Sequence, residues 1–257
     1  MEVYMRLKNE QQLEALRQSG SRLAQVMKLL SENIRPGIST GELDALAEAK
    51  IKELGGVAIF KGYGAEHGTP FPASVCISLN AEVVHGIPRY ETILKEGDLI
   101  KLDMGLRYDG MVSDMARTFP VGKVSKDAYK IMDVTRESLD QGIAVLQIGA
   151  RVSDYAGAVQ RYAESQGCSV VRELVGHGVG FSLHEEPFIP NYVSKKMDDV
   201  LFREGMAVAL EPMINLGKQY VKLAKDKWTY ITSDGSLSAH FEDTVIFSAK
   251  GVEVVTR

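Results

Sequence analysis

The spacing of apolar residues predicts a pair of helices near the start of the chain. The first helix ends before the Pro36-Gly37 pair, and one face of it carries five apolar residues, Leu13, Leu16, Leu23, Met27 and Leu30. The second helix begins at Ser39, where Glu42 completes the pattern of a capping box. It ends at Gly55-Gly56, because glycine readily adopts the left-handed conformation that terminates helices.

A second pair of helices is predicted over 131–146 and 153–166. In each pair, two glycines flank the second helix at the same spacing: Gly37 with Gly55, and Gly149 with Gly167. The repeated spacing indicates an internal duplication of half the chain. Because few residues are identical between the two copies, chance similarity is the alternative explanation.

Apolar and alternating segments follow each helix pair and predict strands. They are 74–79, 98–108 and 111–121 in the first half, and 206–214 and 236–248 in the second. We therefore predict an α+β fold of two similar halves, in which helices pack on an antiparallel sheet. No linker or low-complexity segment divides the chain, so 1–257 is expected to form one domain, with pseudo-repeats over about 10–120 and 125–250.

The composition argues against several functional classes. A net charge of -4 gives no overall basic field for nucleic acid. The sequence has neither an apolar stretch of about 18 residues nor the apolar core of a signal peptide, so we expect a cytoplasmic protein without a membrane partner. Its two cysteines, Cys76 and Cys168, are far apart and form no CxxC pair, which argues against a disulfide framework or a cysteine zinc site.

The Asp109-Gly110 pair between two strand patterns predicts a hairpin with a two-residue turn. The resulting register places Asp103 opposite Ala116. It places Asp114 opposite Gly105, which is expected to leave open space beside the carboxylates. Asp103 and Asp114 are then diagonal neighbours on one face, with backbones about 7 to 8 Å apart, and could bind one cation. The alternative is a pair of solvent-facing aspartates on a half-exposed hairpin.

Two glutamates lie in apolar segments that predict buried strands. Glu211 stands in MAVALEPMI and Glu242 in AHFEDTVIF. A buried, unpaired carboxylate costs several kcal/mol or becomes neutral, so each needs a partner. An Arg or Lys partner is the alternative to a metal, but neither segment contains a basic residue. A shared metal ion would satisfy both glutamates.

Three histidines are candidates for the same chemistry, although spacing alone does not distinguish a ligand from a core or surface residue. His177 lies between glycines in GHGVG, His184 lies in LHEEP, and His85 precedes a Gly-Ile-Pro turn. HEEPF is not a zincin motif, because Phe188 stands where the second histidine is required. Carboxylates with neutral imidazoles suit divalent Mn, Fe, Co or Zn.

Other catalytic motifs are absent from the sequence. It contains no GxxxxGK[ST] loop and no GxGxxG after a strand, which disfavours nucleotide binding. It also contains no GxSxG elbow for a serine nucleophile.

Taken together, these segments resemble the type I methionine aminopeptidases from about the first helix to the last strand. The resemblance is carried by FPASVCISLNAEVVHGIP, the Asp103/Asp114 hairpin, VRELVGHGVGFSLHEEPFIPNY, ALEPM and HFEDT. It implies the pita-bread fold, whose two pseudo-symmetric halves agree with the repeat. It also implies a hydrolase that removes the initiator methionine from nascent polypeptides and prefers a small second residue.

The resemblance implies that two divalent metal ions are bound per chain. Asp103 would bind one ion, His177 and Glu211 the other, and Asp114 and Glu242 would bridge both. The nucleophile would be a water that bridges the two ions, because metal coordination lowers the pKa of water towards about 7.

Further roles follow from the same resemblance. Glu211 would relay a proton, and His85 and His184 would contact the amide and the carbonyl oxygen of the substrate. The methionine side chain would lie among four residues, Tyr63, Phe71, Cys76 and Trp228. The family further implies a monomer and leaves association with the ribosome open.

Some features depart from the family. An insertion, AEHGT, follows FKGYG near the expected methionine pocket. DMGLRYDGMVSDMART and the EDT of the last strand are closer to aminopeptidase P and prolidase, since methionine aminopeptidases commonly have EHT. The alternatives are therefore an X-Pro aminopeptidase or dipeptidase of the same fold, which usually carries a further N-terminal domain, and an inactive binding protein, which would be expected to lose metal ligands.

Overall fold

A computed structural model describes residues 7–257, apart from the side chain of His67. The first six residues of the predicted domain lie outside the described residues. The helices form two pairs, as predicted: α1 (Glu10–Asn33) with α2 (Thr40–Glu53), and α3 (Lys126–Ala144) with α4 (Val152–Ser165). In the part of the chain described, no helix is both long enough and apolar enough to cross a bilayer.

Side chains at the helix N-termini define where the helices begin. The capping box predicted for α2 is confirmed: the Glu42 N–H donates to Ser39 Oγ at 3.1 Å, and the Ser39 N–H donates to Glu42 Oε2 at 2.8 Å. Helix α3 begins five residues before its predicted start at residue 131, because Ser125 caps it by accepting a hydrogen bond from the Ala128 N–H.

Fifteen strands complete the described part of the fold, and the pairings between them are antiparallel. In chain order they are β1 (Val57–Ala58), β2 (Cys76–Leu79), β3 (Glu82–Val84), β4 (Leu99–Tyr108), β5 (Met111–Pro120), β6 (Ser169–Val170), β7 (Gly176–Gly178), β8 (Glu185–Ile189), β9 (Ala207–Leu210), β10 (Met213–Asn215), β11 (Val221–Leu223), β12 (Tyr230–Thr232), β13 (Ser238–His240), β14 (Asp243–Ser248) and β15 (Gly251–Val254).

The strands form one main sheet in each half and two smaller sheets. In the first half, β4 pairs with β5 on one side and with β1 and β2 on the other. In the second half the order is β15-β14-β9-β7-β8. The smaller sheets have the orders β13-β10-β6 and β11-β12-β3. The predicted α+β arrangement of helices on antiparallel sheets is therefore confirmed.

The two halves share details of backbone hydrogen bonding around the second helix of each pair. The Gly37 N–H donates to the carbonyl of Leu94 at 2.9 Å, and the Gly149 N–H donates to the carbonyl of Phe202 at 2.8 Å. These two glycines have φ of 93° and 91°, values that favour glycine. Helices α2 and α4 each contain 14 residues. The repeated glycine spacing thus marks two similar local structures.

The prediction of single strands over 206–214 and 236–248 is wrong. Each is interrupted, one at Glu211-Pro212 between β9 and β10, the other at Phe241-Glu242 between β13 and β14. Proline has no N–H to donate to a ladder. Glu242 pairs instead with Ala116 of β5, through bonds of 2.9 and 3.3 Å. This bridge joins the sheets of the two halves.

Buried apolar residues fill the space beneath the helices and between the halves. Leu23 and Leu30 of α1 pack with Ile100 of β4 in the core of the first half. A second cluster contains residues from both halves, including Val112 of β5 and Ile246 of β14. Apolar residues of the two halves therefore meet in one buried cluster.

Gly20 provides a test of the packing between α1 and the C-terminal segment. A Cβ atom at this position would lie 2.7 Å from the carbonyl carbon of Val255. Alanine at Gly20 would gain about 1 kcal/mol of helix propensity but would force overpacking that costs about 1–3 kcal/mol. We expect Gly20→Ala to lower the melting temperature and Ser21→Ala, at an exposed position of the same helix, to leave it equal or higher. A rise in melting temperature for Gly20→Ala would contradict this packing.

Candidate metal centre

A cavity of about 390 Å³ lies where the two halves meet. Its lining includes every residue that the sequence analysis proposed as a metal ligand. These residues come from separate parts of the fold: Asp103 on β4, Asp114 on β5, His177 on β7, Glu211 in the β9–β10 break and Glu242 in the β13–β14 break. The cavity therefore combines donors from both halves of the chain.

The predicted register of the β4–β5 hairpin is confirmed. Asp103 lies opposite Ala116, and Asp114 lies opposite Gly105. The expected open space at Gly105 is wrong, because a Cβ there would come within 2.9 Å of Ile59 and Phe60. The segment around β1 runs along this end of β4 and occupies that space. The aspartates therefore face a cavity that is walled at this point.

His177 presents one ring nitrogen to the carboxylates. Its Nδ1 lies 2.9 Å from the carbonyl oxygen of Gly178, so Nδ1 carries the proton and Nε2 carries the lone pair. Nε2 is 3.4 Å from Glu211 Oε1 and 4.0 Å from Asp114 Oδ2. Burial lowers the pKa of His177 to about 3, so the ring is neutral at pH 7. A neutral imidazole with its lone pair directed at carboxylates is the form that binds a metal.

The carboxyl groups lack the partners that burial demands. Asp114 Oδ1 and Glu242 Oε1 are buried and have no hydrogen-bond partner within residues 7–257. Burial raises the pKa of Asp114 to about 7 and the pKa of Glu242 well above its usual range, the latter with a contribution from Asp114. One donor atom from each of Asp114, His177 and Glu242 lies within 4.8 Å of the others. These oxygen and nitrogen donors fit a divalent cation.

The remaining two carboxyl groups show the same effect. Burial raises the pKa of Asp103 well above its usual range, and Asp114 adds to the rise. Burial is also the main cause of the raised pKa of Glu211, and the nearby Asp103 and Asp114 raise it further. The Glu211 side chain is 12% exposed, against 4% for that of Asp114, so it is the more accessible from the cavity.

A basic partner was the alternative to a metal for the two glutamates. The basic residue beside Glu242 is Arg117, which donates to the backbone carbonyl of Glu242 and to the carboxylate of Asp243. The Glu242 carboxylate itself has one oxygen without a partner among the described residues. The contacts of Arg117 therefore leave this carboxylate available for a cation.

The predicted substrate-contacting histidines line the same cavity. The His184 ring centroid lies 4.3 Å from that of His177, and His184 Nδ1 lies 2.5 Å from the Tyr63 hydroxyl. Burial lowers the pKa of His85 to about 4 and also lowers that of His184. The His85 ring faces the edges of Trp228 and Tyr230, at centroid distances of 6.3 and 6.0 Å.

Aromatic side chains form the apolar wall of the cavity. All four residues expected around a methionine side chain contribute to its lining: Tyr63, Phe71, Cys76 and Trp228. Phe71 and Trp228 contact each other edge to face, with centroids 5.2 Å apart. The insertion AEHGT lies between Tyr63 and Phe71 in the sequence and contains a short 3-10 helix, Ala65–His67. It is closed at its base by the Phe71 N–H, which donates to the carbonyl of Tyr63 at 2.8 Å.

The sequence analysis missed two residues at this centre. His240 is buried, neither ring nitrogen has a hydrogen-bond partner among the described residues, and its Nε2 lies 3.6 Å from Glu211 Oε2. Asn191 is also buried and donates to the carbonyl of Glu211 at 3.2 Å. His240 stands two residues before Glu242, so a continuous strand would place both side chains on the same face. This spacing could have identified His240 from the sequence. Asn191 carried no such signal.

Comparison with known proteins agrees with the site. The profile of metallopeptidase family M24 matches residues 14–249. Methionine aminopeptidase 1 of Bacillus subtilis is 44% identical over 250 residues, which cover 97% of this chain and 98% of that protein. The crystal structure of methionine aminopeptidase from Thermotoga maritima superposes with a TM-score of 0.93 at 37% identity, covering 99% of this chain and 100% of that one.

A proline-directed relative shares the fold at greater distance. Xaa-Pro dipeptidase from Bacillus anthracis superposes with a TM-score of 0.76 at 22% identity, and the match covers 98% of this chain and 62% of that one. This likeness shows the fold alone. The pita-bread fold and the resemblance to methionine aminopeptidases, both predicted from the sequence, are confirmed. The chain belongs to metallopeptidase family M24.

Proposed function

We propose that this chain is a methionine aminopeptidase that removes the N-terminal methionine from nascent polypeptides and prefers a small second residue. The observation that carries the proposal is the cluster of buried, incompletely partnered carboxyl groups and a neutral imidazole at one cavity with an apolar wall. Full-length similarity to methionine aminopeptidases supports the same activity. We also propose that residues 1–257 act as one catalytic unit with pseudo-repeats over about 10–120 and 125–250.

Five residues are proposed to hold two divalent ions of Co, Mn, Fe or Zn. Asp103 would hold one ion, and His177 and Glu211 the other. Asp114 and Glu242 would hold both. Their donor atoms lie with that of His177 within 4.8 Å of one another, which supports the ion that they would share with His177. When bound, the ions would lower the pKa of a water held between them and polarise the carbonyl of the scissile bond.

Glu211 is proposed to accept a proton from the attacking water and to pass it to the leaving amine. Its side chain is 12% exposed, and its backbone carbonyl is held by Asn191 at 3.2 Å. A general base must lie within hydrogen-bond reach of the proton it removes. Glu211 lies in the break between β9 and β10, and its side chain lines the cavity.

His85 and His184 are proposed to bind the amide and the carbonyl oxygen of the substrate. Their lowered pKa values keep both rings neutral at pH 7. A neutral ring donates through one nitrogen and accepts through the other. Because the Tyr63 hydroxyl contacts His184 Nδ1, it is Nε2 of His184 that remains available to a substrate.

The apolar wall is proposed to select methionine. The thioether sulfur of methionine makes favourable contacts with aromatic rings, and both Phe71 and Trp228 line the cavity. Nascent polypeptides are made in the cytosol, so we propose that the protein acts there, as a monomer.

One observation favours the alternative of an X-Pro peptidase. Arg117 and Asp243, in the DMART and EDT segments that resemble proline-directed relatives, form an ion pair beside Glu242. The identity of 44% to methionine aminopeptidase 1 of Bacillus subtilis is nevertheless twice the 22% identity to the Xaa-Pro dipeptidase. An inactive binding protein would be expected to lack some donors, whereas all five candidate residues line the cavity.

Peptide cleavage after removal and return of the metal tests the function. We expect chelated protein to lose activity and Mn²⁺ or Co²⁺ to restore release of methionine from Met-Ala-Ser, with little cleavage of an Ala-Pro peptide. Preferential cleavage of the proline peptide would show the alternative specificity. Absence of cleavage with every divalent ion would show a binding protein.

Substitution of single carboxylates tests the assigned donors. We expect Glu211→Gln to lower kcat by about 10²–10⁴-fold with little change in KM, because a general base contributes that factor. Asp114→Asn is expected to abolish turnover while the circular dichroism spectrum stays unchanged. Glu82→Gln, a matched change at a carboxyl group outside the cavity lining, should leave kcat near wild type. Wild-type activity in either cavity variant would contradict the two-ion assignment.

The pH dependence of stability tests whether the cluster needs a cation. Burial raises the Asp114 pKa from 3.8 to about 7. The protonated Asp114 carboxyl group therefore stabilises the folded, chelated protein fully below about pH 4, and this stabilisation is lost as pH rises through 7. We expect the melting temperature of chelated protein to fall between pH 5 and 8. Added Co²⁺ should raise it more at pH 8 than at pH 5, because a cation stabilises the ionised carboxylates. Equal gains at both pH values would argue against metal binding by these groups.

A further inference from the structure

Three consecutive residues, Glu242, Asp243 and Thr244, join the candidate metal centre to the first half of the chain. The backbone of Glu242 pairs with that of Ala116. The Thr244 hydroxyl accepts a hydrogen bond from the Asp114 N–H at 2.9 Å and donates to the Asp114 carbonyl at 2.7 Å. The two residues proposed to hold both ions are thus fixed to each other through the backbone.

Asp243 carries a carboxylate at the middle of this segment, where methionine aminopeptidases commonly have histidine. Its side chain is fully buried. Arg117 Nη2 donates to Oδ1 at 2.5 Å, and the Thr256 hydroxyl donates to the same oxygen at 2.9 Å. Arg257 Nε donates to Oδ2 at 2.8 Å. Both oxygens of the Asp243 carboxylate therefore accept hydrogen bonds, in contrast to the incompletely partnered carboxylates of the cavity.

Arg117 connects this carboxylate to the backbone of a proposed ligand. Its Nη1 donates to the carbonyl of Glu242 and, at 2.8 Å, to the carbonyl of Ala116. Its Nη2 donates to Asp243 and, at 3.3 Å, to the carbonyl of Thr256. The guanidinium group is planar and rigid, so these contacts fix the peptide unit between Glu242 and Asp243. A rotation of that peptide would turn the Glu242 side chain and would break several hydrogen bonds.

Arg257 completes the network from the outside. It is the more exposed of the two arginines, with 36% of its side chain accessible against 11% for Arg117. Its Nη2 contacts Asp243 at 2.7 Å and Asp140 of α3 at 2.5 Å. The carboxylate of Asp243 is therefore held between two guanidinium groups, one mostly buried and one at the surface.

We propose that Arg117 and Asp243 are positioning residues of the metal centre, and that Thr256 and Arg257 hold them in place. The proposal rests on the proposed function, because it assigns these residues to the orientation of Glu242. Removal of one member of a buried ion pair leaves the other charge without compensation, so Arg117 and Asp243 depend on each other to stay in place. Partners that orient metal ligands typically change metal affinity by 10–100-fold when they are substituted.

The chain offers a second arginine–carboxylate pair, away from the cavity, as a control. Arg17 of α1 donates from Nε and Nη2 to the two oxygens of Glu253, at 2.9 and 2.8 Å. Glu253 lies on β15, three residues before Thr256. This pair also ties the C-terminal segment to the fold, but neither of its residues lines the cavity. Loss of the two-point contact between Arg17 and Glu253 shows how a general destabilisation of the fold affects metal binding.

The experiment compares Arg117→Lys with Arg17→Lys. Each variant keeps the positive charge and loses the planar fork. The dissociation constant for Co²⁺ is measured on the full chain without peptide, from the visible absorption of the bound ion. We expect affinity to fall by about 10–100-fold in Arg117→Lys, with a changed absorption spectrum, and to stay within about twofold of wild type in Arg17→Lys. Equal affinities in the two variants would overturn the proposal.

A second variant covers the case in which Arg117→Lys does not fold. Arg257→Gln removes the exposed guanidinium, and we expect it to weaken Co²⁺ binding several-fold while KM for Met-Ala-Ser is unchanged. Wild-type affinity in this variant would also overturn the proposal. Metal binding is measured without peptide, so failure of the positioning role can be distinguished from failure of the proposed function. Failure of the proposed function would appear as wild-type protein that binds Co²⁺ but does not cleave Met-Ala-Ser.

Discussion

The mutual repulsion of four carboxyl groups in one buried cavity is the constraint on which the arrangement of the site depends. Asp103, Asp114, Glu211 and Glu242 all line the cavity, and each has a pKa raised by burial. Like charges in a medium of low polarity cannot all ionise without cations between them. The neutral imidazole of His177, with Nε2 turned towards the carboxylates, adds a further lone pair and no positive charge.

The fold brings these groups together by interrupting regular structure in one half and continuing it in the other. The β4–β5 hairpin supplies two aspartates on one continuous face. The second half supplies Glu211 and Glu242 from two strand breaks that lie side by side, since Leu210 pairs with Asp243 and Met213 pairs with His240. At a strand break, the backbone loses hydrogen bonds of the ladder but can direct a side chain differently. Here the two breaks direct Glu211 and Glu242 towards the cavity.

Local sequence patterns predicted the parts of the fold that depend on local interactions. The Ser39 capping box and the turn at Asp109-Gly110 each involve residues within a few positions, and the hairpin register followed from the turn. The break at Glu242 could not be predicted in this way, because it depends on pairing with Ala116, far away in sequence. The same reason applies to the space at Gly105, which is filled by Ile59 and Phe60. The roles of the metal donors came from resemblance to a family and remain predictions.

The division of the donors between two similar halves has a consequence for how such a chain can change over evolutionary time. Here Asp114 and Glu242 stand in different halves, and Thr244 of one half holds the backbone of Asp114 in the other. Each half therefore supplies donors that the other lacks, and a substitution tolerated in one half depends on the residues present in the other. The two halves are therefore expected to evolve as a single unit.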